Sequence, residues 1–216
     1  RLLDAGTLGT VRGVQVIRTQ RQTAEELLPE DQKPWRVRPE ISGGSHFFEG
    51  DAHILDLIDF LVGSLADYQL EVTNETHCYP GEDAVVLSGI TEKRVMVSGM
   101  WCYATYKAID RFLIYGDKGS VEFSYYDNAS PLHFEVLADA NAQAHEGGVR
   151  EEAPMKTWEV TPEVQSYPGL GQIQDIVNEL RGVPGARCYS TLDSALRSFR
   201  ITCAARQKMK EHVYTD

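Results

Sequence analysis

Residues 84–125 read AVVLSGITEKRVMVSGMWCYATYKAIDRFLIYGDKGSVEFSY, with apolar and polar side chains that alternate at every second position. This period is typical of half-buried β-strands. Glycine and aspartate separate several of the segments, as in Tyr115-Gly116-Asp117-Lys118-Gly119, so hairpins and an antiparallel sheet are expected. Working outward, the predicted strands are 69–74, 84–90, 95–106, 111–115, 120–125, 133–137 and 156–160, with an earlier strand that begins at Val11.

Helical periods flank the strand region on both sides. Residues 47–62 have a continuous apolar face and predict one buried helix that ends at Gly63. Two further amphipathic helices are predicted, one over 172–180 and one from Leu192 to Cys203. Helices at both ends of a run of antiparallel strands predict an α+β fold, in which an open-faced, predominantly antiparallel sheet carries helices on one face. Residues 1–216 are expected to form a single domain.

Two other segments are predicted to lack regular structure. Residues 19–39 are polar and contain three prolines, and long loops of this kind are often functional. This loop holds Trp35 beside Arg36 near its end. Residues 139–153 are rich in alanine, glycine and glutamate, which predicts an exposed excursion.

The composition excludes several classes of protein. The chain has 21 Lys and Arg against 32 Asp and Glu, a formal net charge of -11, with 42% hydrophobic and 25% charged residues. This balance is typical of a soluble globular protein and argues against a general nucleic-acid binder, which needs clustered basic residues. No apolar run is long enough for a membrane span. The four cysteines form no CxxC pair, so neither a zinc ribbon nor a disulfide framework is expected.

The segment from His46 to Asp56 is the densest in chemically active side chains. On one continuous helix, Glu49 lies four residues before His53 and Asp56 three residues after it, so all three would share a face. A histidine between two carboxylates is suited to proton transfer near neutral pH. The alternative is a helix whose first-turn acids complement its dipole and whose histidine is merely structural.

The same segment does not predict a metal site, and the sequence lacks the common cofactor-binding motifs. His46, Glu49 and His53 have helical phases that allow a three-ligand face, but about 10.5 Å of helical rise separates the two histidines, so no metal site is predicted. No GxGxxG follows a strand, and P-loop and GxSxG motifs are missing. We therefore expect no cofactor-binding residues in this chain alone.

Residues 35–63, WRVRPEISGGSHFFEGDAHILDLIDFLVG, resemble the Gfo/Idh/MocA family, whose members include glucose–fructose oxidoreductase and inositol dehydrogenase. The family's usual form is Trp-Arg, then Ser-Gly-Gly-Gly, then Asp-x-x-x-His-x-x-Asp. Three weaker motifs follow the family's order along nearly the whole chain: LLDAGTLGTVRGVQV, IDRFLIYGDKGSVEFS and the final helix pair, GQIQDIVNELRG with CYSTLDSALRSFRITCAA. The chain resembles the C-terminal domain only, without the family's N-terminal Rossmann domain.

The resemblance implies roles for five residues. His53 matches the family's acid/base histidine, Glu49 stands at the position of its assisting aspartate, and Asp56 matches the following aspartate. Trp35, Arg36 and Asp56 are expected to bind the substrate, the first two at the mouth of its site. The full-length protein is then expected to oxidise or reduce a CH–OH group of a sugar or polyol with NAD or NADP, while this chain alone is inactive.

The resemblance also implies a homo-oligomer that forms through the open sheet face. Alternating Val95, Val97, Gly99 and Trp101 are expected to face the partner subunit. Trp101 and Tyr103 either stack on a sugar or belong to the sheet core. A cytoplasmic location is expected, with no nucleic-acid or membrane partner.

The sequence departs from the family pattern at two places. Glu49 replaces the usual aspartate and adds a methylene, and Ser45 replaces the third glycine. A carboxylate moved by about 1 Å can lower the rate of a tuned site. The alternative hypothesis is therefore a non-catalytic binding or assembly module that has lost oxidoreductase activity.

Overall fold

One mixed sheet organises the computed structural model of the chain, which describes residues 3–139, 154–163, 167 and 169–213. Its spatial strand order is β2-β3-β4-β1-β5-β6-β7-β8. The strands are β1 Val11–Thr19, β2 Leu65–Thr73, β3 Ala84–Thr91, β4 Met96–Cys102, β5 Ile109–Gly116, β6 Gly119–Phe123, β7 Leu132–Leu137 and β8 Met155–Val160.

The first strand lies at the centre of the sheet. β1 pairs parallel with β4, where Val16 is opposite Gly99, and antiparallel with β5, where Val16 is opposite Phe112. The other neighbouring strands all pair antiparallel. The predominantly antiparallel sheet is thus confirmed, and the insertion of β1 adds one parallel pair that the local pattern does not predict.

Helices cover one face of this sheet. The α-helices are α1 Pro39–Ser42, α2 His46–Glu49, α3 Ala52–Val62, α4 Leu170–Leu180 and α5 Leu192–Val213. Buried side chains of α3, such as Ile54 and Ile58, join Ile201 of α5 and the inward side chains of the sheet in one apolar cluster. Burial of this apolar area is the main favourable contribution to folding. The predicted α+β fold with helices on one face is confirmed.

The predicted single helix over 47–62 is wrong in one respect, because the structure divides it into α2 and α3. The division falls at Gly50 and Asp51. Asp51 turns its carboxylate into the protein, where it is fully buried and accepts a hydrogen bond from the Tyr103 hydroxyl. Gly63 ends α3 with φ 91°, a conformation that favours glycine.

The predicted partner-facing side of β4 is also wrong. Val97, Gly99 and Trp101 lie under the helices, as does Val95 just before the strand. Trp101 is 0% exposed and packs edge-on against Phe47 of α2, with ring centroids 5.0 Å apart. The opposite face of the strand presents Met96 and Met100. Trp101 and Tyr103 are both core residues, so the structure favours the core alternative over sugar stacking.

Residues 19–39 contain two short 3₁₀ turns, Glu30–Gln32 and Trp35–Val37. Residues 140–153 of the predicted excursion lie outside the described residues. Among the helices that the structure describes, none has the length and apolar character needed to cross a membrane.

The two faces of β4 predict losses of stability of different size when a side chain is truncated. Trp101→Ala removes a fully buried indole and is expected to lower the free energy of unfolding by about 3–5 kcal/mol. Met100→Ala removes a side chain that is 42% exposed on the other face and is expected to cost less than about 1 kcal/mol. Urea denaturation of both variants at low protein concentration measures the difference, and equal losses would contradict this assignment of the faces.

Candidate functional site

A groove of about 1050 Å³ runs between α3 and the segment that leads into α5. This volume is enough for a small-molecule ligand. His53 and Asp56 line it from α3, and Tyr125 lines it from the segment after β6. The structure thus brings two of the predicted site residues, His53 and Asp56, to one groove.

The Asp56 carboxylate has one oxygen with a hydrogen-bond partner and one without. Its Oδ2 atom accepts a hydrogen bond from the Ser190 hydroxyl at 3.3 Å. Its Oδ1 atom is buried and has no hydrogen-bond partner among the described residues. A buried acceptor without a donor is unfavourable, so the Asp56 carboxylate has unused hydrogen-bonding capacity beside the groove. Tyr125 is close enough that its pKa is raised, first by burial and then by the charge of Asp56.

Aromatic side chains form an apolar wall of the same groove. Phe60 of α3 packs edge-on against Tyr189, with ring centroids 5.4 Å apart, and both rings are more than half exposed. Nearby, the Arg197 guanidinium donates to Asp59 at 2.6 Å. An apolar wall beside a few directed polar groups is the usual composition of a small-molecule site.

Glu49, Arg36 and Trp35 form a second group outside the groove lining. The Nε atom of Arg36 donates to Oε2 of Glu49 at 3.0 Å, and its guanidinium lies 5.0 Å from the centre of the Trp35 ring. Glu49 and His53 belong to different helices, and no hydrogen bond joins them in the part of the chain that the structure describes. The expected carboxylate–histidine contact is therefore replaced by a carboxylate–guanidinium pair.

His46 also turns away from His53. Its Nε2 atom lies 2.8 Å from Oε1 of the buried Glu26. Burial alone would raise the pKa of Glu26, but the hydrogen bond and charge of His46 lower it. Within residues 3–139, 154–163, 167 and 169–213, no three His, Cys, Asp or Glu side chains are placed to share a metal ion.

A buried polar cluster around Asp51 was not predicted from the sequence. The Asp51 carboxylate accepts a hydrogen bond from the Tyr103 hydroxyl and lies 3.1 Å from the Tyr126 hydroxyl and 3.3 Å from Nε of Arg18. The Arg18 guanidinium also lies 3.6 Å from the centre of the Tyr126 ring. Burial raises the pKa of Asp51 to about 6, although Arg18 and the two phenols lower it.

Glu82, which was also not predicted, precedes β3 and places its carboxylate at the start of α2. Its buried carboxylate accepts the backbone N–H groups of Ser45 at 3.1 Å and Phe48 at 3.2 Å. Burial raises the pKa of Glu82, although these N–H donors lower it. The only sequence signal for the first cluster was Asp51 itself, an acid beside His53. Glu82 gave no signal, because its partners Ser45 and Phe48 are distant along the chain.

Comparison with protein families identifies a relationship over the first part of the chain. The model of the GFO/IDH/MocA C-terminal domain matches residues 1–122. A curated relative, Oxidoreductase P35 from Formosa agariphila, is 29% identical over 126 residues, which are 58% of this chain and 38% of the relative. The chain therefore spans well under two thirds of that relative.

Solved structures share the fold over nearly the whole chain. Levoglucosan dehydrogenase, in complex with NADH and levoglucosan, has a TM-score of 0.69 at 16% identity, over 98% of this chain and 60% of its own. An NAD binding oxidoreductase from Klebsiella pneumoniae has a TM-score of 0.70 at 13% identity, over 98% and 60%. UDP-N-acetylglucosamine 3-dehydrogenase GnnA from Acidithiobacillus ferrooxidans has 0.63 at 12%, over 95% and 57%. At these identities the likeness shows the fold alone.

The raised pKa of Asp51 predicts a pH-dependent stability. Burial raises that pKa from 3.8 to about 6, so the folded state binds the proton more tightly than the unfolded state. The stabilisation of the folded state by the protonated Asp51 carboxyl is fully present below pH 3.8 and is lost as the pH rises through 6. Relative to Asp51→Asn, which cannot titrate, the wild type should lose about 2–3 kcal/mol of unfolding free energy between pH 4 and 7.

Urea denaturation of both proteins across this range measures that difference. Other titrating groups are common to the two proteins, so their contributions cancel. A difference that stays constant with pH, or grows in favour of the wild type as the pH rises, would contradict the assignment.

Proposed function

The chain belongs to the Gfo/Idh/MocA family, and on this basis we propose that it is the substrate-binding domain of an NAD(P)-dependent oxidoreductase acting on a CH–OH group of a sugar or polyol. The proposal treats residues 1–216 as one domain. The observation that carries it is the groove in which His53 lies beside Asp56, whose buried Oδ1 atom has no partner among the described residues.

Each of these side chains has a chemical task in the proposed reaction. His53 is exposed on α3 and acts as the acid/base that exchanges a proton with the substrate hydroxyl or carbonyl oxygen. Asp56 accepts a hydrogen bond from a second substrate hydroxyl and so orients the sugar. The rings of Phe60 and Tyr189 cover an apolar face of the substrate.

The groove does not fit the pyrophosphate of a dinucleotide. Three aspartates line it, Asp56, Asp59 and Asp175, against two arginines, one of which is paired with Asp59. We therefore place NAD or NADP on a part of the full-length protein outside this chain, where the nicotinamide would exchange a hydride with the substrate carbon. The isolated chain is expected to be inactive.

We propose that a group of three residues lies at the edge of the site: Trp35, Arg36 and Glu49. Trp35 is 48% exposed and, with Arg36, meets the substrate at the mouth. Glu49 is given the assisting role that the resemblance implies, which requires its carboxylate to leave Arg36. Because the pair is partly exposed, separating it costs little.

A second copy of the chain is proposed to cover the open sheet face. Four exposed apolar side chains lie on this face: Val86 of β3, Met96 and Met100 of β4, and Tyr115 of β5. Eight strands at a spacing of about 4.8 Å and a length of about 23 Å give a face on the order of 800 Å², which equals the share of one partner in a standard interface.

The cytoplasm is the proposed location. All four cysteines are free, and free thiols of this number are usual in a reducing compartment. We propose no nucleic-acid or membrane partner.

A non-catalytic binding or assembly module is the second candidate function. The pairing of Glu49 with Arg36 at 3.0 Å favours it, because this pair withholds from His53 the carboxylate that the resemblance assigns to it. Turnover measurements separate the two candidates.

The first experiment is a panel of sugars and polyols tested with NAD and with NADP on the full-length protein. Turnover of one member is expected, and His53→Ala should reduce it at least about 100-fold, because it removes the acid/base. His77→Asn, at an exposed histidine in the turn between β2 and β3, is the control and should leave turnover unchanged. Turnover of His53→Ala within threefold of the wild type would remove His53 from the mechanism.

The second experiment tests the assembly. Light scattering of the chain is expected to give at least twice its mass of 24.2 kDa, and Met96→Glu with Met100→Glu should reduce the mass to that of a monomer. Tyr106→Glu, at a side chain that is 85% exposed outside β4, should leave the assembly intact. A mass of 24.2 kDa at every concentration would contradict the proposal.

A further inference from the structure

The Asp51 main chain sets the position of the helix that carries His53. Asp51 directly precedes α3. Its carbonyl oxygen accepts the N–H groups of Ile54 at 3.0 Å and Leu55 at 3.1 Å, which close the first turn of the helix. His53 lies in this turn, so its position follows the position at which Asp51 is held.

The Asp51 side chain is held by the sheet and not by its own helix. It makes no capping hydrogen bond to α3. Its partners are Arg18 of β1, Tyr103 after β4 and Tyr126 after β6. One carboxylate, fully buried, therefore ties the start of α3 to three places on the sheet.

The same cluster reaches the groove from a second element. The Tyr126 hydroxyl lies 3.1 Å from Oδ1 of Asp51 and 3.2 Å from the carbonyl oxygen of Gly50, so both acceptors compete for its proton. The Tyr126 ring packs edge-on against Tyr125, with centroids 4.8 Å apart, and Tyr125 lines the groove with His53. The contacts of Asp51 thus reach two elements that line the groove, the first turn of α3 and the Tyr125 segment.

We propose that Asp51 is a positioning residue for His53: its contacts with Tyr103, Tyr126 and Arg18 hold the first turn of α3 and the Tyr125 segment at the separation that the reaction needs. This inference rests on the proposed function, in which His53 exchanges the substrate proton. The support it assigns to Asp51 is separate from the role proposed for Glu49, whose carboxylate is paired with Arg36 in this structure.

The variant Asp51→Asn keeps the size of the side chain but removes the charge that faces Arg18. In the full-length protein, with the best substrate and coenzyme of the panel, we expect kcat to fall roughly 10- to 100-fold, because small displacements of a catalytic group have effects of this size. KM should stay within about threefold, because Asp51 is buried and does not touch the substrate. Tyr126→Phe, a milder change, should lower kcat roughly 3- to 10-fold and keeps the test valid if Asp51→Asn does not fold.

Asp83→Asn is the matched control. Asp83 is also a buried carboxylate, but it accepts the backbone N–H groups of Glu75 at 3.2 Å and Thr76 at 2.8 Å, away from the groove lining. It should lower the melting temperature while leaving kcat within about twofold of the wild type.

A double-mutant cycle separates positioning from a general loss of structure. If Asp51 acts through His53, Asp51→Asn should lower kcat no further in the His53→Ala background, while it shifts the melting temperature by the same amount in both backgrounds. A further proportional loss of kcat in that background would overturn the inference, as would full turnover of both Asp51→Asn and Tyr126→Phe. Wild-type turnover of His53→Ala would instead overturn the proposed function, and the inference with it.

Discussion

The packing of Trp101 against Phe47 decides which face of the sheet is covered. Side chains of a strand alternate between its faces, so burial of Trp101 places Val97 and Gly99 beneath the helices and Met96 and Met100 on the open side. Gly99 leaves room for the indole, because a Cβ atom at that position would collide with the Trp101 ring. The position of α2, and with it the start of α3 and the groove, depends on this contact.

The strands and most helices could be predicted from sequence because their periods are local properties. The covered face of β4 could not, because both of its alternating sets contain apolar side chains: Val97 and Trp101 in one, Met96 and Met100 in the other. Their burial differs only through packing against α2, which no local pattern contains. The place of β1 at the centre of the sheet is likewise set by pairing with distant strands.

Part of the candidate site could likewise be predicted from the sequence, and part could not. His53 and Asp56 are three residues apart on one helix, so their common groove follows from helical spacing. Glu49 was assigned to the same face on the assumption of a continuous helix, and the junction at Asp51 removes that assumption. Arg18, Tyr103 and Tyr126 meet Asp51 across 33 to 75 residues of chain, a juxtaposition that only the folded sheet reveals.

The central place of β1 also has a consequence for the order in which the chain can fold. Val16 finds its partners at Gly99 and Phe112, which are 99 − 16 = 83 and 112 − 16 = 96 positions further along the chain. Pairings this distant require closure of long loops and slow the folding of a domain. During synthesis, β1 must wait until β4 and β5 have left the ribosome. A strand with two unpaired edges is meanwhile exposed to aggregation.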